Sequence, residues 1–474
     1  MSRRTVLGAT LAAVLIAVVV TACTQGTPLK DAGVAFTSPA DGTTIVGSRE
    51  VVVTLTLTNA TNDAAIDVET TATVLSQTRS DTALEVKLEL ASNENTITVS
   101  VANPGQAVPG TATLALHYPF LSLTANQAAA VVIGQPDFDS ASESDPTKEF
   151  GAPYGRPLVL DGVLYLPDYG SNRVMGYLRV PDTNGVAADF VLGKQDFDDT
   201  ASPVDAAGFK GPQTVAEYQG KLYVIDYSFN RILVFDPPPV TSGAAAAHVI
   251  GQPDFYGSGA GTSSTRFRSP ESMFITQDGK LLVADSGNDR VLIWNAVPTT
   301  VDTPADLVLG QPDMDSDVSA PTAANTMEYP VDVWSDGERV VVVDPGNNRV
   351  LVWNTFPTED FADADVVLGQ ADFVSSAPGS GAGDLSGPGS VYSNGNQLFV
   401  ADSDNNRVLV WNSFPSVSGQ PADVAIGQED LDSFVEGTSA TGLTLPTGVY
   451  VFGGDMFVTD KDNYRYLVYH GTNE

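Results

Sequence analysis

The stretch 344-DPGNNRVLVWN-354 occurs in six versions along the chain, and its recurrence decides the fold. Its Asp stands at 168, 226, 285, 344, 402 and 460, in steps of 58 or 59 residues. A second phrase, 131-VVIGQPDFDS-140, keeps the same period, with its Gly at 134, 193, 251, 310, 369 and 427. A Pro ahead of an apolar run, at 157, 212, 270, 330, 388 and 446, marks each copy a third time. A repeat of this kind is one supersecondary unit that buries its apolar face against its neighbours.

Each period reads as four strands. In one copy they are 331-VDVWSDG-337, 339-RVVVVD-344, 349-RVLVWN-354 and 365-DVVLGQ-370, here strands A, B, C and D. A Gly turn joins A to B, the D…NR stretch joins B to C, and the GQPDF segment leads from D to the next A. Six such copies without helical periodicity predict an all-β chain with a six-bladed β-propeller over residues 128–472. The array is out of step with itself. Val131 to Ile133 is a D strand with no A, B or C before it, and 463-NYRYLVYHG-471 is a C strand with no D after it. The two fragments are predicted to pair, Val131–Ile133 beside Leu467–Tyr469, closing the ring and removing its free edges.

The string V-A-D-S-D-N-N-R-V-L-V at 400–410 resembles an NHL repeat, as do its five counterparts. That resemblance implies the propeller fold and leaves function open, because such propellers serve binding, scaffolding and several kinds of catalysis. Five residues after each recurring Asp comes an Arg, giving the pairs Asp168/Arg173, Asp226/Arg231, Asp285/Arg290, Asp344/Arg349, Asp402/Arg407 and Asp460/Arg465. An Asp at a strand end can accept turn N–H groups, and an Arg across the hairpin can give its carboxylate two donors. Six copies of one pair indicate architecture. The aromatic four residues after each Arg (Tyr177, Phe235, Trp294, Trp353, Trp411, Tyr469) is expected to wedge between blades. In the second phrase, Gly and the Asp at 137, 196, 254, 313, 372 and 430 recur in every copy and are expected to shape the turn.

Alternating strand direction puts the B–C loops and the D-to-A segments on one face of the disc. That face gathers Asp139, Asp198, Asp315, Asp317, Asp404 and Asp462, and it is the expected partner surface for a protein or glycan. Asp402, Asp404 and Asn406 resemble the start of a calcium loop without its Gly and distal Glu, which makes Ca²⁺ the one cofactor to consider. Some enzymes of the resembled propeller type hold a metal in the central channel with histidines or carboxylates. The chain has only His117, His248 and His470, set in unrelated segments. Glu271 and Asp332, just after their marker prolines, break an apolar or small pattern and are the candidates for a channel site. A divalent-metal hydrolase or lyase is thus the alternative to a binding or scaffold module.

Residues 1–23 read as a processing signal. Arg3 and Arg4 precede an apolar run, Val6 to Val20, too short to favour a spanning helix. Val20-Thr21-Ala22-Cys23 resembles a bacterial lipobox, which implies a lipid on Cys23, the chain's single cysteine, and a membrane-anchored lipoprotein of the cell envelope. The paired arginines also resemble a twin-arginine export signal. Residues 24–34 form a tether. Residues 35–124 alternate with period 2, as in Val51, Val53, Leu55 and Leu57, and predict a β-sandwich. Its opening, 37-TSPADGTTI-45, resembles bacterial immunoglobulin-like modules. The net charge of −35 excludes nucleic acid, whose phosphates need Lys and Arg. It suits a soluble monomeric domain on a lipid tether.

Overall fold

The computed structural model describes residues 30–44, 50–90, 93–140, 144–471. The expected processing signal, most of the expected tether and Cys23 lie outside the described residues. The chain divides into two units between Phe120 and Leu121.

The first unit is a sandwich of two four-stranded sheets. One contains Gly33–Ser38, Glu50–Thr58, Ala83–Glu89 and Thr73–Arg79, in that order. The other contains Thr43–Thr44, Gly110–Tyr118, Asn93–Ala102 and Ala65–Thr70. The alternation in the sequence is the cause. Val53, Leu55, Val86, Leu88, Ile97, Val99 and Leu116 point inward and share one core, while their neighbours along each strand face solvent.

The second unit is a β-propeller of six four-stranded antiparallel sheets. Blade one has strands A to D at Leu158–Leu160, Val163–Asp168, Arg173–Tyr177 and Phe190–Leu192. Blade two has Pro212–Tyr218, Lys221–Asp226, Arg231–Phe235 and His248–Ile250, and blade three Ser272–Ile275, Leu281–Asp285, Arg290–Trp294 and Leu307–Leu309. Blade four has Asp332–Ser335, Val340–Asp344, Arg349–Trp353 and Val366–Leu368, and blade five Pro388–Ser393, Leu398–Asp402, Arg407–Trp411 and Val424–Ile426. Blade six takes A to C from Pro446–Phe452, Asp455–Asp460 and Arg465–His470, and its D strand from Val131–Ile133. The closing strand pairs Ile133 with Tyr466, Val132 with Leu467 and Val131 with Val468, one residue from the register expected. The chain enters this unit at Leu121, whose N–H and carbonyl are both bonded by the buried side chain of Gln397.

Three devices repeat around the ring. In the first, each recurring Asp is buried and holds two strand ends together. In blade four, Asp344 Oδ1 accepts the N–H of Glu328 at 2.8 Å, and Oδ2 accepts Arg349 Nε at 2.7 Å. The Arg does not give the carboxylate two donors, as the sequence led us to expect. Its other nitrogens bond main-chain carbonyls instead, Nη1 to Phe373 at 2.8 Å and Nη2 to Thr326 at 2.8 Å. One planar guanidinium thereby ties together the D-to-A segment that enters its blade and the one that leaves it. In blade six, Arg465 reaches the carbonyl of Phe138 at 2.5 Å, so the ring closure uses the same device. Burial raises several of these carboxyls, Asp226 to about 7 and Asp402 and Asp460 to about 6, against the pull of their Arg partners.

The second device is the wedge. Trp294, Trp353 and Trp411 are buried, each sharing one hydrophobic core with aliphatic residues of the preceding blade: Ile225 and Ile232 with Trp294, Leu282 and Val291 with Trp353, Val341 and Val350 with Trp411. Their indole N–H groups bond carbonyls of the C–D loop at 3.0–3.2 Å. These rings are core, unavailable to stack on a ligand.

The third device is the GQPDF segment. Its Gly has positive φ in all six copies, and at Gly251 a Cβ would come within 2.3 Å of the Phe267 ring. The Asp carboxylates of this phrase accept N–H groups two or three residues on, as Asp254 does from Tyr256 and Gly257, both at 2.9 Å.

Candidate functional site

The strand A positions facing the channel are set by the marker Pro, and in blade one that Pro is 153. Pro153 bridges Asp168 as Pro212, Pro388 and Pro446 pair with Asp226, Asp402 and Asp460. This corrects the reading that placed it at 157. Between the Pro and the residue facing Tyr165 (Leu158), blade one holds four residues; blade two holds three between Pro212 and Ala216, which faces Tyr223. The additional residue is accommodated by Gly155 at φ 75°, and the strand turns Arg156 inward.

Arg156 is 4% exposed and plugs the channel. Its Nη2 bonds the Met273 carbonyl of blade three at 2.7 Å, and its Nη1 lies 3.5 Å from Asp332 of blade four, on the opposite side of the ring. Its guanidinium also stands 5.3 Å from the Phe274 ring centroid. Asp332, 3% exposed, does face the channel, as the sequence indicated. It is also fully engaged. The hydroxyls of Ser272 and Ser390 and the N–H groups of Val333 and Val391 all donate to it, besides Arg156. A carboxylate with this many donors has no lone pair left for a metal or a proton in flight.

Glu271 lies one residue nearer the loop face and shares no donor with Asp332, although the Asp332 charge helps to raise its carboxyl. It is 5% exposed and accepts the Tyr154 hydroxyl at 3.0 Å across the mouth, from blade one to blade three. Burial raises its carboxyl to about 7, and the Tyr329 and Tyr154 hydroxyls hold it from going higher. Around it the mouth is lined by tyrosines. Tyr227 and Tyr329 share a hydroxyl–hydroxyl bond of 2.9 Å, and Tyr169 sits 6.0 Å from Tyr154 and 5.9 Å from Tyr227 between ring centroids. Lys461 places its ammonium 5.6 Å from the Tyr154 ring. Tyr169, Tyr227 and Lys461 each open a B–C turn, and Tyr329 ends a D-to-A segment, so the cluster belongs to the loop face.

The residues directly after the six marker prolines are therefore Tyr154, Gln213, Glu271, Val331, Gly389 and Thr447. Two of them carry buried polar atoms with no hydrogen-bond partner, Gln213 Oε1 and Thr447 Oγ1. Sequence reading missed Tyr154 and Arg156 because the Pro was set four residues late. The step from 157 to 212 is shorter than every other step, and Phe150, counterpart of Phe209 and Phe267, would have given the correct register.

The remaining candidates separate. Asp139, Asp198, Asp315, Asp317, Asp404 and Asp462 are exposed, and Asp317 is paired with Arg268 at 2.5 Å. Acidity does not single out their face, because the opposite face has its own repeating carboxylates. Asp189, Asp306, Asp365 and Asp423, ahead of four D strands, accept the N–H that follows strand C at 2.7–2.8 Å. Asp402, Asp404 and Asn406 do not converge. Asp402 is taken by Ser386, Asn405 and Arg407, while Asn406 accepts the N–H of Leu445 and donates to the Phe434 carbonyl. Among the described residues, no three His, Cys, Asp or Glu side chains are grouped to hold a metal ion. His117 is bonded to Glu94 and His470 to Asp455, both at sheet ends, and His248 enters strand D of blade two.

No family model and no curated protein matches the chain. Solved structures do. A streptogramin B lyase is 12% identical, covering 70% of this chain and 97% of its own, with a TM-score of 0.38. A virginiamycin B lyase from Staphylococcus aureus is 10% identical, covering 85% and 98%, at 0.39. A PQQ-bound aldose sugar dehydrogenase from Streptomyces coelicolor is 16% identical, covering 67% and 94%, also at 0.39. Identities this low transfer no activity from those proteins to this chain.

Proposed function

We propose that the chain is a binding module, an NHL-type propeller held at the bacterial cell envelope by a lipid on Cys23, with an immunoglobulin-like sandwich as spacer. One observation carries the preference for binding over catalysis. The channel carboxylate Asp332 is saturated by donors and by Arg156, so the place where a channel enzyme would act is filled by a structural plug. The working surface in this reading is the face of the B–C loops and D-to-A segments, where the tyrosine-lined mouth opens. The tether and spacer rest on the lipobox-like Val20–Cys23 and on the period-2 alternation of residues 35–124.

The test is site-specific photo-cross-linking in intact envelopes. A photo-reactive residue at Asp198, Asp315 or Asp462 reports the loop face, and one at Glu217, Asp336 or Gly453 reports the opposite face. Adducts from the first set are expected. Adducts confined to the second set would remove the reading. Replacement of Cys23 by Ser should release the chain from the membrane fraction.

A further inference from the structure

The loop between strands C and D clips a blade to the one before it. In blade four, the Phe361 N–H bonds the carbonyl of Val308, the middle residue of blade three's D strand, at 2.9 Å, and the Asp360 carboxylate accepts the Val308 N–H at 3.0 Å. In blade five, Gly419 and Ser418 treat Val367 in the same way, at 2.9 and 3.2 Å. Further along each loop a buried Ala, Ala364 or Ala422, donates to the segment entering its blade, at Ala324 or Ala382. The residue after it returns to strand C, Asp365 to Val352 and Asp423 to Val410.

In blade six this loop comes from the other end of the unit. Residues 121–130, which lead into Val131–Ile133, occupy its place bond for bond. Asn126 donates to Ala425, the middle residue of blade five's D strand, at 3.0 Å. Its φ is 53°, against 58° at Phe361 and 66° at Gly419. Ala129 is the buried Ala and donates to Ala440 at 2.8 Å, and Ala130 returns to Val468 of strand C at 2.8 Å. The spacing of Asn126 from Gly134 repeats that of Phe361 from Gly369 and of Gly419 from Gly427. By the same count Leu121 stands where Phe356 and Phe414 stand.

One peptide link is missing from this loop, and side chains span the gap. Strand C of blade six runs out at His470, and a Cβ on Gly471 would come within 2.7 Å of Leu121 Cδ1. Gln127 Nε2 bonds the His470 carbonyl at 2.7 Å. Leu121 itself is clasped by Gln397, in the A–B turn of blade five, at 2.6 Å through its N–H and 2.9 Å through its carbonyl. Leu121, Leu123 and Ala129 are buried in one core with Tyr469, the wedge of blade six. The closing strand alone offers three residue pairs. A strand that short, without further anchorage, opens ahead of the rest of a fold.

We propose that residues 121–130 are a strap that locks the ring, standing in for the covalent C–D loop of blade six, and that release of Leu121 from Gln397 is the step that opens the propeller.

The test is residue-resolved hydrogen exchange and urea denaturation on the full chain. The amides of Asn126, Ala129 and Ala130 should be protected like their counterparts Phe361, Ala364 and Asp365. Gln397→Ala removes the clasp and leaves the strap's own sequence intact. It should speed exchange about tenfold or more in the strap, in Val131–Ile133 and in strand C of blade six, and lower the urea midpoint of the whole propeller. Ala125 offers no acceptor where Asp360 and Ser418 have one, so Ala125→Ser should slow exchange of the Ala425 amide about tenfold. That variant decides the matter if Gln397→Ala does not fold. Three results would overturn the proposal: strap amides that exchange freely in the wild type, faster exchange confined to the strap with the midpoint unmoved in Gln397→Ala, or an Ala425 amide unchanged by Ala125→Ser.

Discussion

Glu271 makes the stability of the propeller depend on pH in a direction opposite to the usual carboxylate. An Asp or Glu held by cations has a lowered pKa and stabilises the fold above its unfolded pKa. Glu271 is the reverse, because burial outweighs its two tyrosine donors and raises it from 4.5 to about 7. The folded state therefore binds this proton more tightly than the unfolded state. Its contribution is complete below about pH 4.5 and is lost as pH rises through about 7. The shift corresponds to about 3.5 kcal/mol at most, at ~1.4 kcal/mol for each pKa unit. Glu271→Gln keeps an acceptor for Tyr154 and removes the titration. Urea denaturation of both proteins at pH 5, 6, 7 and 8 isolates the effect. Asp226, Asp402 and Asp460 titrate in the same window, are present in both, and cancel in the difference. The variant should gain on the wild type by about 2–3 kcal/mol between pH 5 and 8. A difference that stays flat over this range would refute the account of Glu271 as a carboxyl buried among tyrosines.

Three further outcomes follow from the architecture. Arg349→Ala leaves Asp344 buried without its cation and should cost about 3–5 kcal/mol in urea denaturation, whereas an unchanged midpoint would remove the ion pair from the account of the blade. Arg156→Met and Asp332→Asn should each destabilise, and the double variant should recover part of the loss; strict additivity would mean that the two groups do not act as one plug. Deleting residues 128–134 takes away three buried aliphatic side chains and the last blade's fourth strand, forfeiting on the order of 5 kcal/mol and lowering the stability of the whole propeller. Loss of signal from blade six alone in hydrogen exchange would show that the ring does not depend on closure.

The propeller was legible in the sequence because repetition multiplies a weak signal. One D…NR phrase is a turn motif, but six at a constant period fix strand order, and the unmatched D and C fragments identify the closing pair. The mouth was hidden for the complementary reason. A site on a repeat is where one copy departs from the others, and period counting treats departures as noise. Blade one shows this most clearly. A single added residue at Gly155 bends strand A, turns Arg156 into the channel and sets Tyr154 opposite Glu271. The shortened step at Pro157 carried that information in the sequence. Glu271 and Asp332 were visible as carboxylates that break an apolar pattern, yet nothing in one dimension separates their roles. The difference lies in their donors. Asp332 sits where serines of the two flanking blades reach it, and it is satisfied; Glu271 sits one residue higher, has only tyrosine hydroxyls, and keeps a raised pKa. Three-dimensional neighbours, rather than residue type, therefore assign one carboxylate to holding the ring together and leave the other buried among tyrosines at the channel mouth.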